Sequence, residues 1–220
     1  QIVAFHDPST LRITGEEHHV SERTLAELKH LSVGLWKDPQ WEAERIPTLD
    51  EVLATVPPGK RLYVEIKCGQ EILPELVRIL KTPLATERVV VIGYGFDVLA
   101  KLKQQVTEVK TLLVVRLAQN PKNNHEATPS LAERIGPVQS AGLDGFDIGI
   151  TELLTAETVE TLLKKNFELC TWTINDPLEA RRLELLGIHA ITTDFPKQLR
   201  QELSHLGPIP NAIGPTPFPP

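Results

Sequence analysis

Short apolar runs alternate with segments of helical periodicity along nearly the whole chain, and this alternation limits the folds open to the sequence. The runs are rich in Val, Ile and Thr, as β-strands are. Strands that alternate with helices form βαβ units, which pair their strands in parallel. The sequence therefore predicts an α/β protein. The predicted strands are Ile2–Phe5, Leu62–Ile66, Val89–Ile92, Thr111–Val115, Leu143–Ile148, Leu169–Ile174 and Ala190–Thr193.

Helix punctuation agrees with this division. Thr48 and Glu51 have the spacing of a capping box, in which each residue satisfies a backbone N–H of the first turn. Asp176 and Pro177 have the order of a helix N-cap followed by a first-turn proline, and Gly187 is placed to end that helix. The predicted helices are Leu73–Leu80, Val98–Val106, Ala156–Leu163, Leu178–Leu186 and Lys197–Leu203.

Two parallel architectures fit such a chain, an open doubly wound sheet and a TIM barrel. No GxGxxG motif or P-loop follows a predicted strand, and these are the nucleotide-binding signatures of the open sheet. We therefore predict a TIM (β/α)8 barrel over residues 1–206. A barrel needs about 250 residues, and the chain contains no Met and begins within an apolar run. We expect the first strand–helix unit and the second strand to be absent from it.

The remaining residues, 207–220, hold six of the 18 prolines. Proline is excluded from helix interiors and central strands, so we predict an extended Pro-rich tail.

Composition narrows the function. The net charge of −6 argues against a nucleic-acid partner, which usually needs a basic face. No run of 18 apolar residues is present, so no membrane span is expected. The two cysteines, Cys68 and Cys170, form no CxxC motif and are expected to be buried free thiols. They favour a cytoplasmic location, with periplasmic or secreted locations as alternatives.

Three positions at the ends of predicted strands can carry chemistry. His6 follows the first run, and an imidazole can act as acid or base near neutral pH; the alternative is a turn histidine. In Leu62–Ile66, alternation places Glu65 on the same face as Lys67, at the strand end where TIM-barrel sites lie. A carboxylate there suits Mg²⁺ or Ca²⁺ and a lysine suits a phosphate, although a structural ion pair fits equally well. Trp172 either walls a pocket or packs in the core.

Several blocks in order resemble the glycerophosphodiester phosphodiesterase family. They span nearly all of residues 1–200 and comprise Val3–Asp7, Leu11–Gly15, Thr24–Leu28, Glu44–Leu53, Val64–Lys67, Trp172–Asp176 and Ile191–Pro196.

The resemblance implies a TIM-barrel hydrolase that converts a glycerophosphodiester to an alcohol and glycerol 3-phosphate with a divalent cation, Mg²⁺ or Ca²⁺. It implies that His6 is one of two catalytic histidines and that Glu65 is a metal ligand. Lys67 would act near the phosphate, and Trp172 would contact the substrate. The family's other histidine, an arginine and two carboxylate ligands precede the start of this sequence.

The resemblance also implies an insertion near the substrate mouth, at about residues 8–45. Trp36 and Trp41 lie in this insertion and either contact the substrate or anchor the segment. Two other functions stay open. The chain could be an inactive barrel that binds a phosphorylated ligand or partner, or a phospholipase C-like enzyme that releases a cyclic phosphate.

Overall fold

A computed structural model describes residues 1–117, 130–149 and 151–206, apart from the side chain of Glu152. The predicted Pro-rich tail lies outside these residues. The chain divides into two compact units. The first comprises Gln1–Tyr63 and Lys67–Val89, and the second comprises Val64–Ile66 and the residues from Val90 onward.

The described residues contain six strands in one sheet, and the strands lie side by side in the order of the sequence. All pairs from β2 to β6 are parallel. Sequential parallel strands joined by helices are the connectivity of a TIM barrel, as predicted. The strands are β1 (Leu62–Ile66), β2 (Val89–Gly93), β3 (Lys110–Arg116), β4 (Gly145–Gly149), β5 (Glu168–Trp172) and β6 (Ala190–Ile191).

Helices of the described chain follow the same alternation. They are α1 (Leu11–Thr14), α2 (Leu25–His30), α3 (Leu49–Ala54), α4 (Leu73–Leu80), α5 (Pro83–Arg88), α6 (Phe96–Gln105), α7 (Leu131–Ser140), α8 (Ala156–Lys164), α9 (Pro177–Leu186) and α10 (Pro196–His205). None of the helices in the described ranges is both long and apolar enough to span a bilayer.

The predicted caps form as the sequence indicates. Thr48 accepts a hydrogen bond from the backbone N–H of Glu51, whose side chain accepts one from Thr48 N–H in return. Asp176 caps α9, Pro177 occupies its first position, and Gly187 ends it in the left-handed conformation at φ 90°. These local signals fix where the helices begin and end.

One predicted strand is wrong. Ile2–Phe5 forms an isolated antiparallel bridge between Val3 and Thr48 rather than a strand of the sheet. Backbone hydrogen bonds tie Ala4 to Pro47 and Leu49 to Ile2, so this run is held by the segment that leads into α3. An apolar, β-branched composition favours an extended backbone, but a strand also needs a continuous partner.

The interior of the second unit is set by strand register. In a parallel sheet, residues in register point to the same side. Val114, Asp147, Cys170 and Ala190 therefore share one face. Cys170 packs on that face in a buried cluster with Val90 and Leu112. Asp147 thus lies on a face that is otherwise apolar at this level.

The two cysteines differ in environment. Both are free, but Cys170 is buried whereas Cys68 is exposed, so the expectation of two buried thiols is wrong for Cys68. Cys68 lies two residues beyond the end of β1, where the chain leaves the sheet.

Candidate active site

A chain of polar contacts surrounds His6 in the first unit. Nδ1 of His6 lies 2.7 Å from Oδ1 of Asp7, and Nε2 of His6 lies 3.4 Å from Nζ of Lys67. On its other side Asp7 accepts two hydrogen bonds from Arg12, from Nε at 2.6 Å and from Nη2 at 3.2 Å. The structure therefore brings together two of the predicted site residues, His6 and Lys67, and adds Asp7 and Arg12.

Electrostatics of this chain fix the role of each nitrogen of His6. Hydrogen bonds from Arg12 and then from His6 lower the pKa of Asp7 to about 2, so its carboxylate is ionised at neutral pH and can only accept. Nδ1 of His6 must then carry the hydrogen in that contact. Nε2 is left as the nitrogen that can exchange a proton, and the imidazole is well exposed, at 73% of its side-chain surface.

The lead-in to His6 differs from the prediction, because no strand of the sheet ends there. The single bridge at Val3 and the hydrogen bond from Ala4 to Pro47 hold the backbone just before the imidazole. Asp7 does not simply cap a turn, since both of its oxygens bind side chains.

A second group of polar and aromatic side chains lies in the second unit. Glu65 is half-buried on β1, Tyr94 directly follows β2, Asp147 lies on β4, and Trp172 ends β5. The rings of Tyr94 and Trp172 meet edge to face, with 6.4 Å between their centroids. Predicted residues Glu65 and Trp172 thus belong to this group, which Tyr94 and Asp147 complete.

Burial and like charge act together on Asp147. Its side chain is only 4% exposed, and burial, followed by the charge of Glu65, raises its pKa to about 7. The same two causes raise the pKa of the Tyr94 phenol, in the order burial and then Glu65. Asp147 and Tyr94 therefore both feel the carboxylate of Glu65.

Sequence reasoning missed Asp147. It lies within the run Leu143–Ile148, which was counted only for its apolar residues. A signal was available, because alternation puts Asp147 on the opposite face from Phe146 and Ile148. An acid in the middle of an otherwise buried strand is rare without a partner or a use.

Trp172 is neither a pure core residue nor a fully exposed one. It is half-buried, and its indole lies directly over Gly149, where an added Cβ would come within 2.7 Å of the ring. A cavity of about 310 Å³ opens beside it at the end of β5, lined by Thr151, Trp172, Thr173, Ile174, Asn175, Asp176 and Glu179. The interpretation of Trp172 as a pocket wall agrees with this position.

A larger cavity, of about 510 Å³, lies at the opposite ends of the strands. Its lining includes Lys110, Asp144 and Glu168, which stand at or just before the first residues of their strands. TIM-barrel enzymes carry their sites at the carboxyl ends of the strands. We therefore assign the candidate site to the carboxyl ends, despite the smaller cavity there.

The two tryptophans of the 8–45 segment do not form a buried anchor. Trp36 is 58% exposed and Trp41 is 44% exposed. Trp36 donates a hydrogen bond through Nε1 to the carbonyl of Val33, and the backbone of Trp41 packs closely against Gly34. These contacts order the segment while leaving much of both rings at the surface.

The described residues do not make a metal site by themselves. Within them, no three His, Cys, Asp or Glu side chains are grouped so that they could hold a metal ion. Glu65 offers oxygen ligands of the kind that Mg²⁺ and Ca²⁺ take, but one carboxylate is too few for such a site.

Sequential parallel strands with polar side chains at their carboxyl ends define a TIM-barrel enzyme. Comparison with known proteins makes the class specific. The model of the glycerophosphoryl diester phosphodiesterase family matches residues 1–198. The chain belongs to this family of phosphoric diester hydrolases.

Individual relatives agree with the family match. A glycerophosphodiester phosphodiesterase of Caldanaerobacter subterraneus subsp. tengcongensis is 28% identical over 203 residues, which are 90% of this chain and 78% of that protein. A phosphodiesterase structure from Oleispira antarctica, in complex with the product sn-glycerol-3-phosphate, superposes with a TM-score of 0.77 at 22% identity, covering 92% of this chain and 79% of that one.

The glycerophosphodiester phosphodiesterase structure from Thermotoga maritima gives a TM-score of 0.69 at 20% identity, over 90% of this chain and 78% of that one. At these identities the solved structures support the fold, and they confirm the predicted TIM barrel.

Proposed function

We propose that this chain hydrolyses glycerophosphodiesters to an alcohol and glycerol 3-phosphate, with His6 as one of the groups that move protons. The observation that carries the proposal is the contact chain from Asp7 through His6 to Lys67. It joins an oriented imidazole to a cation, and a phosphodiester needs both: a proton-transfer group and a counter-charge for its oxygens.

The proposed reaction begins with attack of a glycerol hydroxyl on phosphorus. One histidine removes the hydroxyl proton, and a second protonates the departing alkoxide as the P–O bond to the alcohol breaks. His6 is one of this pair and acts through Nε2, because Asp7 holds Nδ1. Water then opens the resulting cyclic phosphate to glycerol 3-phosphate.

Lys67 has a separate task in this proposal. Its ammonium stands 3.4 Å from Nε2 of His6, so a phosphoryl oxygen that meets Lys67 also lies close to the proton-transfer nitrogen. Negative charge grows on the phosphoryl oxygens as the hydroxyl attacks, and a fixed ammonium stabilises it. Proximity of the two groups supports a shared role on one phosphate.

The cofactor is part of the proposal as well. We propose that a divalent cation, Mg²⁺ or Ca²⁺, is bound with Glu65 as one ligand. Such an ion supplies Lewis-acid polarisation of the phosphate when it is bound. For location we propose the cytoplasm, because both cysteines are free thiols.

The test is release of glycerol 3-phosphate from glycerophosphocholine by the purified protein, with Mg²⁺, with Ca²⁺ and with a chelator. Metal-dependent release that His6→Ala abolishes is the expected result. Accumulation of a stable cyclic phosphate would instead identify a phospholipase C-like enzyme. Absence of turnover in a folded protein that still binds glycerol 3-phosphate would identify a binding protein.

A further inference from the structure

Two buried polar atoms on neighbouring strands of the second unit lack a hydrogen-bond partner among the described residues. They are Oδ1 of Asp147 on β4 and Nε1 of Trp172 on β5. Unsatisfied buried polar atoms are costly and uncommon in native proteins. Their persistence here suggests that a group outside the described chain completes them.

Register places these two side chains on one face. Asp147 pairs with Cys170, and Gly149 pairs with Trp172. Residues two apart on a strand point the same way, so the carboxylate and the indole project to the same side at successive levels. The indole lies over Gly149, which brings it above the strand that carries Asp147.

Tyr94 gives independent evidence that the two lie in one neighbourhood. Its ring meets that of Trp172 at 6.4 Å, while the charge of Asp147 acts on its phenol. The group therefore surrounds a common space at the carboxyl end of the second unit.

The two unsatisfied atoms are chemically complementary. An indole N–H can only donate, whereas an ionised carboxylate oxygen can only accept. A hydroxyl does both, since it accepts from one group and donates to the other. A phosphate oxygen would satisfy Trp172 but would be repelled by Asp147.

We propose that Asp147 and Trp172 together bind a hydroxyl of the substrate's glycerol moiety, and that Asp147 thereby makes the site selective for glycerol over alcohols that lack this hydroxyl. The proposal rests on the proposed function, because it assumes a glycerophosphodiester substrate. It assigns Asp147 to recognition of the substrate rather than to proton transfer.

A third unsatisfied atom provides a matched control. Oγ1 of Thr171 is also buried without a partner among the described residues. Thr171 pairs with Ile148 and Ile191, so it points to the opposite face from Asp147. Thr171→Val removes a buried hydroxyl of similar size from the same strand pair without touching the proposed hydroxyl site.

The experiment is calorimetric titration of the Mg²⁺-loaded protein with three phosphates. These are sn-glycerol 3-phosphate, 3-hydroxypropyl phosphate, which lacks the central hydroxyl, and 2-hydroxypropyl phosphate, which lacks the terminal one. We expect the wild type to bind glycerol 3-phosphate about tenfold more tightly than one of the two analogues, as for a hydrogen bond to a charged group.

Asp147→Ala should reduce that preference to about twofold or less, whereas Thr171→Val should retain it. Asp147→Asn keeps an acceptor oxygen and should retain most of the preference. Trp172→Phe keeps the ring but removes the N–H, and it tests the same hydroxyl if Asp147→Ala does not fold. A preference that survives both Asp147→Ala and Trp172→Phe overturns the inference.

The two levels of the proposal fail differently. Equal binding of all three phosphates by the wild type overturns the inference but leaves the proposed function standing. No binding of any of the three by a folded wild type overturns the proposed function, and the inference with it.

Discussion

Nζ of Lys67 lies 3.4 Å from Nε2 of His6, although 61 positions separate the two residues in the sequence. The contact defines which nitrogen of His6 can meet a substrate, because Asp7 engages the other one. It also places a permanent positive charge beside the group that must accept or give a proton.

Removal of the Lys67 ammonium should slow the reaction with little effect on folding. We expect Lys67→Ala to reduce kcat/KM by about 10²–10³, the usual loss when one stabilising donor is removed. The melting temperature should be nearly unchanged, because Lys67 is exposed. Steady-state kinetics and thermal unfolding measure the two effects, with Lys60→Ala as the matched exposed lysine. Full activity in Lys67→Ala would exclude the assigned role.

Asp7 should contribute to stability only above the acid range. Its pKa is lowered from 3.8 to about 2 in the folded protein, so the unfolded chain takes up its proton first as the pH falls. The contribution is therefore present above pH 4 and is lost between about pH 4 and pH 2. We expect Asp7→Asn to lack this component in urea unfolding measured across that range. Curves of identical shape for the two proteins would contradict the assigned contacts.

Asp147 should have the opposite effect. Its pKa is raised from 3.8 to about 7 by burial and then by Glu65, so between these values the folded state holds a proton that the unfolded state has released. The free energy of unfolding should therefore fall as the pH rises from about 4 to 7, by at most about 4 kcal/mol. Asp147→Asn should remove this slope in urea unfolding with a chelator present.

Thr171→Val serves as the control for that measurement, because it changes a buried polar group that does not titrate in this range. It should keep the wild-type slope. Parallel curves for the wild type and Asp147→Asn would show that the carboxyl is not held in the protonated form.

Glu65→Gln should weaken the binding of divalent cations, because it replaces a charged oxygen ligand by a neutral amide. Calorimetric titration with Mg²⁺ and with Ca²⁺ measures this directly, without reliance on turnover. Glu160→Gln is the matched control, since Glu160 pairs with Lys164 on the exposed surface of α8. Unchanged affinity in Glu65→Gln would remove Glu65 from the proposed ligand set.

Gly149 should tolerate no side chain. A Cβ there would lie 2.7 Å from the Trp172 ring, so Gly149→Ala must displace the indole at a cost of about 1–3 kcal/mol. We expect a lower free energy of unfolding and a higher KM for the substrate. Gly136→Ala in α7 meets no atom within 4 Å, and it should stay within about 1 kcal/mol of the wild type, because better helix propensity is offset by the following Pro137.

Much of the fold could be predicted because its signals are local. The six observed strands were all expected, and helix α4 has the predicted bounds, since periodicity and caps act over a few residues. Ile2–Phe5 was wrong because strand formation depends on a distant partner that no local pattern reveals. Its β-branched composition correctly indicated an extended backbone and no more.

The site was predictable only in part, for the same reason. The order of polar residues at strand ends indicated His6, Glu65, Lys67 and Trp172, whereas their partners depend on the tertiary fold. Arg12 contacts Asp7 through the conformation of the loop that follows the bridge at Val3. Asp147 was missed because apolar periodicity ignores the exception within a run, and here the exception is the residue of interest.

The loop after β5 is hydrogen-bonded to the one after β6, with consequences for anyone who wishes to re-engineer this barrel. Nδ2 of Asn175 donates to Asp194 at 2.8 Å, and Oδ1 of Asn175 accepts from the Thr193 hydroxyl and from the backbone N–H of Asp194. Grafting a new loop behind Trp172 without Thr193 and Asp194 would strand every hydrogen bond of Asn175. The two loops should therefore be transplanted as one cassette.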